Sequence, residues 1–119
     1  TAYHVRHCSE WMVRLGDGTE ESHARAQDAI DHLWAYTGEM FAVDDAERGL
    51  IDAGIAVDSA SLKSQWLKIV GDVVAEATLT LPDNDWMQQG GRIGHHSEHL
   101  GHLLSELQSL QRTFPGATW

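Results

Sequence analysis

From Gly94 to Arg112 the chain reads GHHSEHLGHLLSELQSLQR, and no other stretch limits its possible folds as strongly. His96, Leu100, Leu103, Leu107, Leu110 and, just beyond, Phe114 recur at alternating steps of three and four. At ~3.6 residues per turn this spacing stacks them on one side of a helix, as a packing seam. His95, His99, His102 and Glu106 follow the same steps about a quarter-turn round, at the margin of the leucines. Ser97, Gln108 and Arg112 take the far side.

Upstream, the same steps recur between well-marked stops. Thr1, Val5, Cys8, Met12 and Leu15 share a stripe, with His4 and Trp11 beside it, until Gly16, Asp17 and Gly18 end the helix. Thr19 is placed to cap a second helix, with Glu20 and Glu21 in the first turn, where the macrodipole favours acid. Its inner stripe is Ala26, Ile30, Leu33, Thr37 and Phe41, with Trp34 and Met40 alongside. Asp28, Asp31 and Glu39 form a solvated face. Asp44 and Glu47 have capping-box spacing for a short helix that Gly54 closes. After an extended IAVD link, Asp58 caps a fourth helix in which Leu62, Trp66, Ile69, Val70, Val73 and Ala77 share a face and Glu76 lies at its edge. Pro82 stops that helix, and the polar run to Gly94 is a long connection in which Trp86 and Met87 are expected to dock on a neighbouring surface. Pro115 and Gly116 end the last helix, leaving a short tail to Trp119. The pattern predicts an all-α chain of about five helices, with residues 1–119 forming a single helical domain.

Composition narrows the function. Eighteen acidic against eight basic residues give a formal charge of -10, which repels phosphate backbones and anionic lipid and argues against nucleic-acid and membrane partners. Cys8 is the sole cysteine, so no intrachain disulfide can form. With no signal-peptide pattern or long apolar run, a cytoplasmic location is expected. Five tryptophans suggest extensive packing or an interface. The chain opens on Thr1 rather than Met, inside a helical pattern. We therefore expect a piece of a longer polypeptide whose bundle-facing residues, Val5, Met12 and Ile30 among them, drive self-association.

The chemistry-bearing patterns are sparse. Imidazoles at i and i+4, such as His95 and His99, can share a metal, and Glu106 lies one turn beyond His102. One straight helix cannot surround a cation, however, and only Glu76 and His4 offer further inward ligands. Histidines bordering the seam are the plainer expectation, with a metal-binding row of His95, His99, His102 and Glu106 as the alternative. His96, amid the leucines, calls for a buried partner and a structural role. Di-iron bundles present Glu-x-x-His on core helices. Here the corresponding spacing is Thr1-x-x-His4, and a neutral hydroxyl cannot bridge two irons. Nucleophile-elbow and phosphate-loop patterns are lacking, and Cys8 on a core stripe reads as an inert buried thiol.

RLGDGTE at Arg14–Glu20, GIAVD at Gly54–Asp58, EATL at Glu76–Leu79, GGRIGHHSEHLG at Gly90–Gly101, and LQR followed by PG at Leu110–Gly116 occur in this order along the whole chain. Together they resemble the structural C-subunit family of phenylacetyl-CoA epoxidases, the ring-1,2 oxygenases of phenylacetate catabolism, in its C-terminal part. The resemblance implies a ferritin-like helical bundle without a di-iron centre or other cofactor. It also implies a noncatalytic scaffold that pairs with the catalytic di-iron subunit. His96, Glu98, His99 and Gly101 match the family's His-Ser/Thr-Glu-His-Leu-Gly pattern, for which a structural pin on the preceding loop is expected; His95 and His102 lie outside it. The enzyme-class alternative is a metal-dependent oxygenase drawing iron ligands from the histidine row.

Overall fold

Side-chain caps open three of the six α-helices in the computed structural model, which describes residues 1–118; Trp119, the expected end of the tail, lies outside the described residues. Helix α1 spans Ala2–Gly16, α2 Glu20–Leu33, α3 Asp45–Asp52, α4 Ser59–Glu76, α5 Glu98–Leu107 and α6 Ser109–Thr113. Short 3₁₀ turns occupy Trp34–Tyr36, Gly38–Phe41 and Gly91–Ile93, and no strand occurs among the described residues. The chain is all-α, as its periodicity predicts. Where composition argues for one domain, the chain divides into two compact units, residues 1–88 and the segment from Gln89 onward.

Within the first unit the predicted caps form. The Thr19 hydroxyl accepts the Ser22 N–H at 3.2 Å while the Thr19 N–H donates to the Ser22 hydroxyl at 2.9 Å, so two orphan donors of α2 are satisfied reciprocally. Asp44 accepts the Glu47 N–H at 2.8 Å and Asp58 accepts the Ala60 N–H at 3.0 Å, opening α3 and α4. Beyond α3, Gly54 takes a left-handed φ of 70°, and the Ile55 N–H turns back to the Leu50 carbonyl at 2.9 Å.

The second helix ends earlier than its stripe predicts. Instead of running on to Phe41 it stops at Leu33 and gives way to two 3₁₀ turns. Two residues explain the change. The Thr37 hydroxyl donates to the Trp34 carbonyl at 2.8 Å, offering the backbone a local alternative to the α-helical ladder. Gly38, a poor helix former, lies so near Met87 that a Cβ there would sit 2.9 Å from the Met87 Cβ. Of the two loop residues expected to dock, Met87 therefore does so, whereas Trp86 remains 64% exposed.

The core of this unit is small: Val74, Ala77 and Leu79 are buried, with Met12, Val13, Ala26, Ile30, Val70 and Leu81 packed around them. Helix α1 meets α4 at buried Gly16, where a Cβ would collide with the Ala77 carbonyl oxygen and lie 2.8 Å from the Ala77 Cβ. Only glycine permits that approach.

In the second unit the predicted continuous helix from Gly94 to Arg112 is corrected. Gly94 is left-handed, Ser97 stands at the N-cap position, and α5 begins at Glu98, so His95 and His96 precede the helix and leave its register. A break at Gln108 separates α5 from α6. The Ser105 hydroxyl donates back to the Gly101 carbonyl at 2.8 Å, and that of Ser109 to the Glu106 carbonyl at 2.9 Å. Such back-bonding bends helices. The leucine seam is also uncovered: Leu103, Leu107, Leu110 and Phe114 are exposed, and only Leu100 and Leu104 are half-buried.

Candidate interaction surface

The inner side of α1 and the facing sides of α2 and α4 enclose apolar hollows rather than a filled core. One, of about 340 Å³, is lined by Met12, Ile30, Leu33, Trp34, Trp66 and Leu81 among others; a second, of about 440 Å³, lies between His4, Val5, Cys8 and Met12 of α1 and Trp66, Ile69, Val70 and Val73 of α4. Trp66 walls both. Its indole stacks on Trp34 with centroids 5.7 Å apart, and Phe41 meets it edge-on at 5.3 Å.

A polar latch ties α2 to the segment that follows α4. Gln27 on α2 pairs with Thr80 across 53 residues: its amide N–H donates to the Thr80 carbonyl at 2.9 Å, and its carbonyl accepts the Thr80 N–H at 2.9 Å. The same Gln27 amide donates to Asp31 at 2.9 Å. Nearby, the His23 Nδ1–H donates to the Gly16 carbonyl at 2.7 Å. Thr78, at φ 59°, brings its hydroxyl to that carbonyl at 3.3 Å. Further along, the Gln88 N–H donates to the Ala35 carbonyl at 2.8 Å. Side-chain type gave no hint of this latch, because glutamine pairing with distant backbone leaves no periodic trace.

A flank of α1 carries a ladder of rings. Tyr3 and His7 stack at 5.8 Å, His7 meets Trp11 edge-on at 6.5 Å, Arg6 lies over the Tyr3 ring at 5.7 Å, and Arg14 over Trp11 at 5.2 Å. Arg6 also faces Glu10 at 3.8 Å.

The sequence-predicted chemistry is not gathered in one place. His99 and His102 lie on α5 with Glu106, exposed, while His95 lies in the preceding loop, where its N–H donates to the Gly90 carbonyl at 2.8 Å. His96 is exposed as well, so the buried partner expected for it is not required. Glu98 occupies the first turn of α5, where its charge suits the helix dipole, and Gly101 lies mid-helix with open space around it. Glu76 does not face the hollows; it borders a shallow surface depression with Arg6, Glu10 and Arg14. Cys8 faces the larger hollow and is exposed rather than buried. Among the described residues no three His, Cys, Asp or Glu side chains converge as a metal site would require, and no helix is long and apolar enough to cross a membrane.

Comparison with known proteins places this geometry. The model of a family described as phenylacetic acid catabolic protein matches residues 1–119. Over 117 residues the chain is 43% identical to the C component of the 1,2-phenylacetyl-CoA epoxidase of Escherichia coli (strain K12). That match covers 98% of this chain and 47% of the relative, so the chain spans about half the length of the curated relative it matches.

Proposed function

The chain belongs to the phenylacetic acid catabolic protein family, a ferritin-like one, and from that premise we propose that it serves as a noncatalytic scaffold within a multicomponent phenylacetyl-CoA epoxidase. It holds and stabilises the di-iron subunit that performs the oxygenation, in the cytoplasm. The supporting observation is the lining of the hollow between α1 and α4. Ferritin-like di-iron centres draw bridging carboxylates and histidines from such facing helices. Here that lining offers His4 and Cys8 among Val5, Met12, Trp66, Ile69, Val70 and Val73, with no carboxylate. These residues do not fit a pair of irons. What the surface can do is pack.

Mixing the chain with the di-iron subunit and measuring complex formation together with epoxidation tests the reading. A complex with raised activity is the expected result, and full activity from the di-iron subunit alone overturns it. Metal analysis of untagged protein separates the enzyme-class alternative, since stoichiometric iron lost in a His99→Ala variant would favour that alternative.

A further inference from the structure

The scaffold role leaves Cys8 unused, and this thiol does not stand alone. His4, Cys8 and Met12 follow one another at steps of four along α1, and all three line the hollow of about 440 Å³ between α1 and α4. A step of four drifts by only ~40° round a helix and climbs ~6 Å, so the three donors share one face, a turn apart. Helical side chains lean toward the N-terminus, which carries the long Met12 thioether back toward Cys8.

The donor atoms are also uncommitted. Cys8 is a free, exposed thiol, and His4 is exposed beside it, so an ion can reach both. Among the described residues no hydrogen bond or ion pair engages the His4 ring nitrogens; the ring is steadied edge-on against Tyr3, with centroids 5.6 Å apart. Met12 is half-buried and contributes a polarizable sulfur.

The chemistry of this set selects its ion. Imidazole, thiolate and thioether are nitrogen and sulfur donors, and the lining adds only the Ser9 hydroxyl as an oxygen. Calcium and magnesium, which demand oxygen, are excluded. Zinc fills its positions with thiolate, imidazole and carboxylate, and here only Cys8 and His4 qualify. Thiolate and thioether together favour monovalent copper. A straight helix cannot surround a cation that needs a full shell, but Cu(I), a soft closed-shell ion satisfied by few donors, needs none.

We propose that His4, Cys8 and Met12 form a binding site for a soft monovalent metal ion, Cu(I), on the inner face of α1. The Cys8 thiol releases its proton to solvent as the sulfur–copper bond forms, the copper keeps its oxidation state, and His4 and Met12 complete the shell. Uptake therefore strengthens as pH rises. Binding of this ion does not depend on the scaffold role.

The test titrates the 119-residue chain, under anaerobic and reducing conditions, against the coloured Cu(I)–bicinchoninate complex, and follows alkylation of Cys8 by iodoacetamide in parallel. The chain should withdraw an equimolar amount of Cu(I), and the bound ion should slow alkylation. Cys8→Ser should abolish uptake. Met12→Leu and His4→Gln should each weaken it by about tenfold or more, a loss that even outer-shell partners of a metal can cause. Circular dichroism on each variant confirms that helix content is kept. A His99→Ala/His102→Ala variant should bind as the parent does, because those imidazoles lie on α5. Uptake that survives in Cys8→Ser assigns the ion to scattered histidines and overturns the site. Uptake that Met12→Leu and His4→Gln both leave unchanged reduces it to a bare thiol, and one ion shared by two chains places that thiol between copies; either result overturns the assignment. Alkylation of the parent chain needs no variant, and a rate that Cu(I) does not alter rejects the site outright.

Discussion

Gly16 shows how much one missing Cβ can control. Any side chain there meets the Ala77 carbonyl, so Gly16→Ala should destabilise the first unit by about 1–3 kcal/mol, read as a lowered urea midpoint. Gln27→Ala hands the exposed Thr80 N–H and carbonyl back to water and should cost about 1 kcal/mol by the same measurement. Leu107 makes the opposite point. Its periodicity suggests burial and a loss of ~2–5 kcal/mol on truncation. Its 63% exposure predicts instead that Leu107→Ala changes the melting of this chain by no more than about 0.5 kcal/mol. His32 is fully exposed, yet its pKa is raised, first by donating a hydrogen bond to the Asp28 carbonyl and then by the Asp28 charge. A raised folded-state pKa means that its support of α2 is fully present below the unfolded value and fades as pH rises through the folded one. An NMR titration should therefore place His32 above the ordinary imidazole range, and Asp28→Asn should bring it down.

At the scale of elements, starts and stops were legible and continuations were not. Thr19, Asp44 and Asp58 announce helices because a cap needs only local geometry, and each caps as its spacing says. The end of α2 at Leu33 and the break at Gln108 depend on hydroxyls of Thr37, Ser105 and Ser109 choosing carbonyls over water, a balance that apolar periodicity does not register. The histidine row loses His95, and the leucine seam loses His96, for a similar reason: Gly94 and Ser97 delay α5 until both are outside it, while His99, His102 and Glu106 stay on the helix. Gly71, inside α4 with nothing within 4 Å of a Cβ, offers a check on propensity alone. Gly71→Ala should stabilise the chain by about 0.5–1 kcal/mol in thermal melts.

For the whole molecule, periodicity names the residues that need cover but not what covers them. The seam from Leu100 to Phe114 and the hollows around Trp66 were both legible as apolar faces, and both stay open. On its own the chain should self-associate through the inner hollow, with Val5→Glu shifting the sedimentation profile toward monomer; a clean monomer of the unchanged chain at high concentration would count against this. Few residues moor the stretch between Thr80 and Gln88, yet both of its ends are held, one by Gln27 and the other by the Ala35 carbonyl. A protease that severs the exposed residues Asp83 to Trp86 would accordingly create two new termini that are each already tethered to the same helical scaffold. The nicked protein should migrate as one species until a denaturant lets the strands part.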